Sequence, residues 1–181
     1  MAAPPDEREA LDDLFSATYE ELRRLATSLR RSDPSLTLNP TALVNEAWLK
    51  MAGSPEVAST SRLHFKRIAA RAMRQVLVDA ARRRHAHKRG GDGDADAAVF
   101  VTFDESIEDA ATWGEDVLAL DHALTELARI EPRQALMVES RFFGGLDVAE
   151  TAALLEVSEA TLLRDWRVAK AWLAGELRQA R

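Results

Sequence analysis

The segment Leu146–Leu177, LDVAETAALLEVSEATLLRDWRVAKAWLAGEL, constrains the fold most. Asp147 followed three residues later by Glu150 is the pattern of a capping box, in which each side chain satisfies the other's backbone N–H, so a helix starts here. Val148, Ala149, Ala152, Ala153 and Leu155 supply a short apolar face at helical spacing. Glu156-Val157-Ser158 interrupts the run. Ser158 can accept from the free N–H groups of a second helix, whose apolar stripe is Leu162, Trp166, Ala169 and Leu173. A short helix, a tight turn and a longer helix form a helix-turn-helix pattern. Many such corners are purely structural. The solvent face of the second helix, however, carries Thr161, Arg164, Arg167 and Lys170, and a helix so furnished can enter a DNA major groove.

Charge elsewhere bears on the same question. The net charge of −6 excludes an all-over basic coat for nucleic acid, but the charge is segregated. Residues 62–90 hold ten Lys and Arg side chains against one acid, Asp79, and residues 92–131 hold twelve acids against one base, Arg129. There is no cysteine, hence no disulfide framework and no thiolate metal site. The first residues, MAAPPDERE, contain no apolar run, and no stretch approaches the ~20 apolar residues of a membrane span, so a cytoplasmic protein without membrane insertion is expected.

Along the chain, Asp6 can cap a first helix. Leu11, Leu14, Phe15, Leu22, Leu25, Ala26 and Leu29 recur at three- and four-residue steps, and Ser32-Asp33-Pro34-Ser35 ends the run. Asn39-Pro40 opens a second helix to about residue 52, with Leu43, Val44, Ala47, Trp48 and Met51 on one side. A third helix spans about 62–86, roughly 37 Å long. Phe65, Ile68, Ala69, Ala72, Met73, Val76, Leu77 and Ala80 form its stripe, and Lys66, Arg67, Arg71 and Arg74 lie off it. Residues 90–114, rich in Gly, Asp and Ala, read as a flexible acidic linker. A fourth helix starts at Asp116 and a fifth at Glu131-Pro132, ending at Gly144-Gly145. No strand pair is evident. The expectation is an all-α chain of two small helical domains, 6–89 and 115–181, joined by the linker.

The order of these pieces resembles bacterial sigma factors of the sigma-70 family, and most closely the two-domain extracytoplasmic-function (ECF) group. Phe65-Lys66-Arg67-Ile68-Ala69-Ala70-Arg71, with Val78-Asp79 and Arg82-Arg83-Arg84, looks like the promoter-melting helix of the first domain. Pro132-Arg133-Gln134 and Arg141-Phe142-Phe143-Gly144-Gly145-Leu146 look like the entry to the second, and Glu150 to Leu173 like its helix-turn-helix. The resemblance implies a protein that binds core RNA polymerase and directs it to promoter DNA. The second domain would read the −35 element through Ser158, Thr161, Arg164, Arg167 and Lys170. The first would open the −10 element with Lys66, Arg67, Arg71 and Arg74 on the strand backbone, and the loop 53–62 would pocket a flipped base. The helix at 40–52 would dock on the polymerase through Thr41, Ala42, Val44, Asn45, Glu46 and Trp48. The acidic linker would thread a basic channel of the polymerase, and an anti-sigma factor is a further implied partner.

Two departures from the family pattern stand out. Glu156 occupies a turn position that usually carries glycine. Thr41 and Ala42 stand where relatives carry acids that meet a basic clamp on the polymerase, leaving only Glu46 nearby. Phosphate on Thr41 would restore roughly −1.5 to −2 charge at a helix N-terminus, where anions are favoured. Thr41 is therefore expected to be a phosphorylation switch for a Ser/Thr protein kinase, as in subgroups of the family that lack these acids. The alternative function is a stand-alone helix-turn-helix regulator. The residues carry no nucleophile–base pair, no Gly-rich phosphate loop and no metal cluster around His85 and His87, so neither enzyme activity nor a cofactor is expected.

Overall fold

A computed structural model describes the backbone of residues 5–31, 39–52, 61–88, 100–101 and 115–179, and the side chains of most of them. The first three helices are α1 (Pro5–Arg31), α2 (Pro40–Met51) and α3 (Arg62–Lys88). The next four are α4 (Val117–Ile130), α5 (Pro132–Gly144), α6 (Val148–Leu155) and α7 (Glu159–Gln179). The chain is all-α, as its periodicity indicates. The extended pairing among the described residues is one antiparallel two-residue ladder, Phe100 opposite Asp116 and Val101 opposite Glu115. Segments that short carry no alternation for a sequence pattern to register. The loop 53–60, the rest of the acidic segment (89–99 and 102–114) and the stop at 32–35 lie outside the described residues.

Local chemistry sets several helix ends. Asn39 is extended, and its Oδ1 accepts from the Ala42 N–H at 2.7 Å, with Pro40 supplying a first-turn residue that needs no partner. Helix α1 begins at Pro5, so Asp6 lies inside its first turn rather than before it. At α6, Asp147 Oδ1 accepts from the Glu150 N–H at 2.7 Å while Glu150 Oε2 accepts from the Asp147 N–H at 3.1 Å, a complete capping box. Ser158 Oγ accepts from the Thr161 N–H at 3.2 Å at the start of α7. Gly145, at φ 64°, closes α5 in the left-handed region that glycine enters without cost.

One apolar core runs through all seven helices. Helix α3 is its axis: Phe65, Ala69, Ala70, Met73, Val76, Leu77 and Ala81 are buried, and α2, α4 and α5 pack around it. Phe15 of α1 stacks on Trp48 of α2, with ring centroids 4.3 Å apart. Helix α3 and the end of α5 approach each other closely. A Cβ on Gly144 would lie 2.9 Å from the Ala70 Cβ and 3.1 Å from the Lys66 carbonyl oxygen, so only glycine lets the helices meet there. Among the described residues no helix is long and apolar enough to cross a membrane.

The α6–α7 turn pays a conformational cost. Glu156 has φ 55° and ψ 42°, and its N–H bonds back to the Ala152 and Ala153 carbonyls. A side chain in this region costs about 1–2 kcal/mol, partly offset in a glycine variant by the greater freedom of the unfolded chain, about 0.5–1 kcal/mol. Glu156→Gly is therefore expected to raise stability by about 0.5–1 kcal/mol in urea unfolding. A loss of stability would show that the Glu156 side chain contributes something its strained backbone conceals.

Candidate nucleic-acid interface

Helix α7 turns Leu162, Trp166, Ala169, Leu173 and Leu177 into the core. By helical periodicity the opposite face looks outward. Arg164 and Arg167 are exposed there, Ser158 is exposed at the cap, and Thr161 and Lys170 are half-buried at the margin. Leu163 and Val168 lie on the same outward side, 38% and 54% exposed. The face thus combines two guanidinium groups with two uncovered apolar side chains. That set matches the edges a major groove offers: guanine acceptors for arginine, thymine methyls for leucine or valine.

Two charged contacts hold α7 on α5, and neither is visible in the sequence. Asp165 is buried and its Oδ2 accepts from Arg133 Nη2 at 2.7 Å. Arg141 is buried with its guanidinium 4.4 Å above the Trp166 ring, a cation–π contact. Burial pushes the Arg141 guanidinium below its ordinary pKa, with Asp147 acting in the other direction. Both arginines precede the two-helix unit in the chain and would otherwise read as surface charge.

The short helix α6 differs from its sequence reading. Ala149 and Ala153 are exposed, while Thr151 and Ala152 are buried. Thr151 enters the core because its Oγ1 donates to the Asp147 carbonyl at 2.6 Å, which satisfies the hydroxyl without water. Eight residues give too few turns for periodicity to fix the facing of the helix.

The basic residues of α3 separate into two kinds. Arg71 is exposed and Arg67 half-buried, with the Arg67 Nε enclosed and without a hydrogen-bond partner among the described residues. Lys66 is only 3% exposed, with its Nζ 2.8 Å from Glu21 Oε2 and 2.7 Å from Glu150 Oε1. Arg74 is gripped by the second half of the chain. Its Nε donates to Asp121 Oδ1 at 2.9 Å, its Nη1 to Glu139 Oε2 at 2.7 Å, and its Nη2 to the Asp121 carbonyl at 2.9 Å and to Thr125 Oγ1 at 3.2 Å. Arg82 reaches the other Asp121 oxygen at 3.6 Å.

The Lys66 cluster is electrostatically closed. Burial works against the ammonium, but hydrogen bonds and charge from Glu150 and Glu21 outweigh it and raise its pKa. The hydrogen bond from Lys66 is the main cause holding the Glu21 carboxyl below its usual range, with Arg62 adding to it. A depressed carboxylate contributes stability above the unfolded-state value and loses it as pH falls through the folded one. A raised lysine contributes below about pH 10.4 and loses it only at higher pH, so the cluster persists across neutral pH.

On α2, Thr41 and Asn45 are exposed, and Ala42, Glu46 and Trp48 are half-buried. Val44 is 1% exposed and belongs to the core, so it supports this surface from beneath and cannot itself meet a partner. Arg23, Thr27, Asn39, Pro40, Thr41, Ala42 and Asn45 line an open cavity of about 580 Å³ at the helix N-terminus, and the first turn of α2 holds no acid. Phe65, the first residue of the α3 stripe, is fully buried.

Comparison with curated proteins and with solved structures returned no match. A family model described as ECF sigma factor matches residues 6–179. That span takes in all the helices described above except the single residue Pro5 of α1. The chain therefore belongs to the ECF sigma factor family, whose members are non-enzymatic proteins that direct RNA polymerase in transcription initiation.

Proposed function

We propose that this sigma factor divides promoter recognition between α7 and α3, and that its attachment to core RNA polymerase through α2 is switched by phosphorylation of Thr41. The observation that supports the first part best is the outward face of α7, where Arg164 and Arg167 are exposed opposite a fully buried stripe. In the major groove of a −35 element, Arg164, Arg167 and Lys170 meet phosphates or guanine edges, and Ser158 and Thr161 sit where a helix N-terminus meets backbone phosphate. On α3, Arg67 and Arg71, with Lys66 and Arg74, hold the opened −10 strand. Residues 6–89 and 115–181 act as the two recognition units, with residues 90–114 as their connection.

The second part rests on α2. Thr41 is exposed beside Asn45, in a first turn without carboxylates, and Arg23 lines the same cavity. A phosphate there gains the helix N-terminus and a nearby guanidinium, and it supplies the negative charge that a basic polymerase surface would engage. Glu46 alone leaves that contact weak. In cells that contain the cognate kinase, Thr41→Ala is expected to abolish activation of a dependent promoter, and Thr41→Glu to retain part of it. Transcript levels measured by primer extension check this. Full activity of the alanine variant would remove the switch and leave the DNA-reading assignment standing.

A further inference from the structure

Four large apolar side chains stand exposed among the described residues, and two of them share one face of α7. Leu49 lies on α2, and Ile130 ends α4. Leu163 and Val168, 38% and 54% exposed, lie five residues apart on α7. At about 100° per residue, the outward face runs Leu163, Arg167, Arg164, Val168 around the axis. The two guanidinium groups thus hold the middle, with one apolar side chain on either flank. Ala160 and Ala171 are exposed and fall between the arginines, so nothing bulky keeps this face from a groove floor.

The chemistry of the face is narrow. From Ala160 to Ala171 the sequence contains no Asn, Gln or Glu, the side chains that read adenine or cytosine. Its one acid, Asp165, is buried and held by Arg133 at 2.7 Å, so it offers no acceptor to a cytosine amino group. Thr161 is half-buried, and its hydroxyl accepts from Ser158 at 3.0 Å. Base edges are left with arginine or lysine for guanine and an apolar pair for the C5-methyl of thymine. Single apolar groups on a surface are ordinary. A pair that brackets two arginines suits the one base edge in the groove that is itself apolar.

We propose that Leu163 and Val168 set the sequence preference of α7 by packing on thymine methyls that bracket the guanine contacts of Arg164 and Arg167. This rests on the reading of α7 as the −35 helix. The two apolar side chains lie about 7.5 Å apart along the helix axis and about 140° apart around it. That is roughly two base-pair steps at 3.4 Å, with the side chains leaning toward opposite walls of a groove about 12 Å wide. The two thymines therefore fall roughly two or three base pairs apart, on opposite strands. Covering each methyl removes apolar surface from water on both partners and requires no hydrogen bond.

The test uses the full chain, phosphorylated at Thr41 and bound to core polymerase, on a dependent-promoter fragment randomised across its −35 region. Retained fragments are sequenced. The best is remade with deoxyuridine for thymidine, which removes the methyl alone. Leu163→Ala, Val168→Ala and the double variant are compared with Ile130→Ala, an exposed apolar position on α4.

Wild type should enrich thymine at two positions flanking guanine, and each single variant should lose the preference at one of them. Deoxyuridine should weaken wild-type binding about fourfold per methyl, the equivalent of one buried carbon, and about tenfold or more at both positions. The double variant should bind the two fragments alike, a coupling that a loss of stability would not produce. Ile130→Ala should behave as wild type. Thymine enrichment that survives in the double variant would overturn the proposal, as would wild type binding deoxyuridine as tightly as thymidine. Guanine enrichment would in either case keep the −35 reading. Enrichment of no base by wild type would overturn both.

Discussion

Replacing Arg164 and Arg167 together with alanine is expected to reduce promoter occupancy by the polymerase complex by roughly 30-fold or more. A good arginine–base contact is worth about 1–3 kcal/mol, and two such contacts multiply in the binding constant. Both side chains are exposed, and Arg164 makes a long 3.8 Å approach to Asp165 among the described residues. Their loss should therefore leave stability within about 0.5 kcal/mol. Footprinting on a dependent promoter, alongside a thermal melt, reads both. Loss of protection confined to the upstream element, with an unchanged melt, is the expected pattern. If occupancy drops equally on every sequence, the two residues touch phosphate only and α7 reads bases through Leu163 and Val168. Unaltered occupancy would contradict the assignment of α7.

Phe65→Ala should be the most damaging single change in the core. The ring is fully buried on α3, the helix that α2, α4 and α5 share. Deleting it removes a large transfer term and leaves a cavity, together about 3–5 kcal/mol. A chain of this size loses about 2–4 °C per kcal/mol, so the midpoint should drop by about 10 °C. Urea unfolding measures the same loss. An unaffected midpoint coupled to a specific failure in promoter opening would instead mark Phe65 as a stacking group that leaves the core to reach a base.

What was legible in the sequence was local. Asn39-Pro40, the Asp147/Glu150 box and Ser158 each act within three residues, so their spacing alone announces the helix starts that the structure contains. The stripe of α7 was legible because 21 residues repeat its period almost six times. Helix α6 departs from its sequence pattern because eight residues give too few repeats, and because Thr151 hides its hydroxyl on its own backbone. Charge was the least legible feature. Lys66 and Arg74 looked like solvent-facing bases because their carboxylate partners stand 84 residues away at Glu150 and 47 and 65 away at Asp121 and Glu139. Arg141 likewise carries no sign in the sequence that it covers Trp166. The acidic block that follows the basic one is therefore more than a solvated run: one of its members, Asp121, folds back onto the other block.

Family membership fixes the general role, and the division of labour among α2, α3 and α7 is what we propose beyond it. The most direct measurement is reconstituted initiation. Purified core polymerase, a template bearing a dependent promoter, and the chain with Thr41 phosphorylated are combined, and the RNA 5′ end is mapped. A transcript from one defined start is expected, and it should vanish without the chain, weaken without the phosphate, and be lost with Arg164→Ala/Arg167→Ala. A chain that retards the free promoter fragment but never associates with polymerase or changes the start would contradict it.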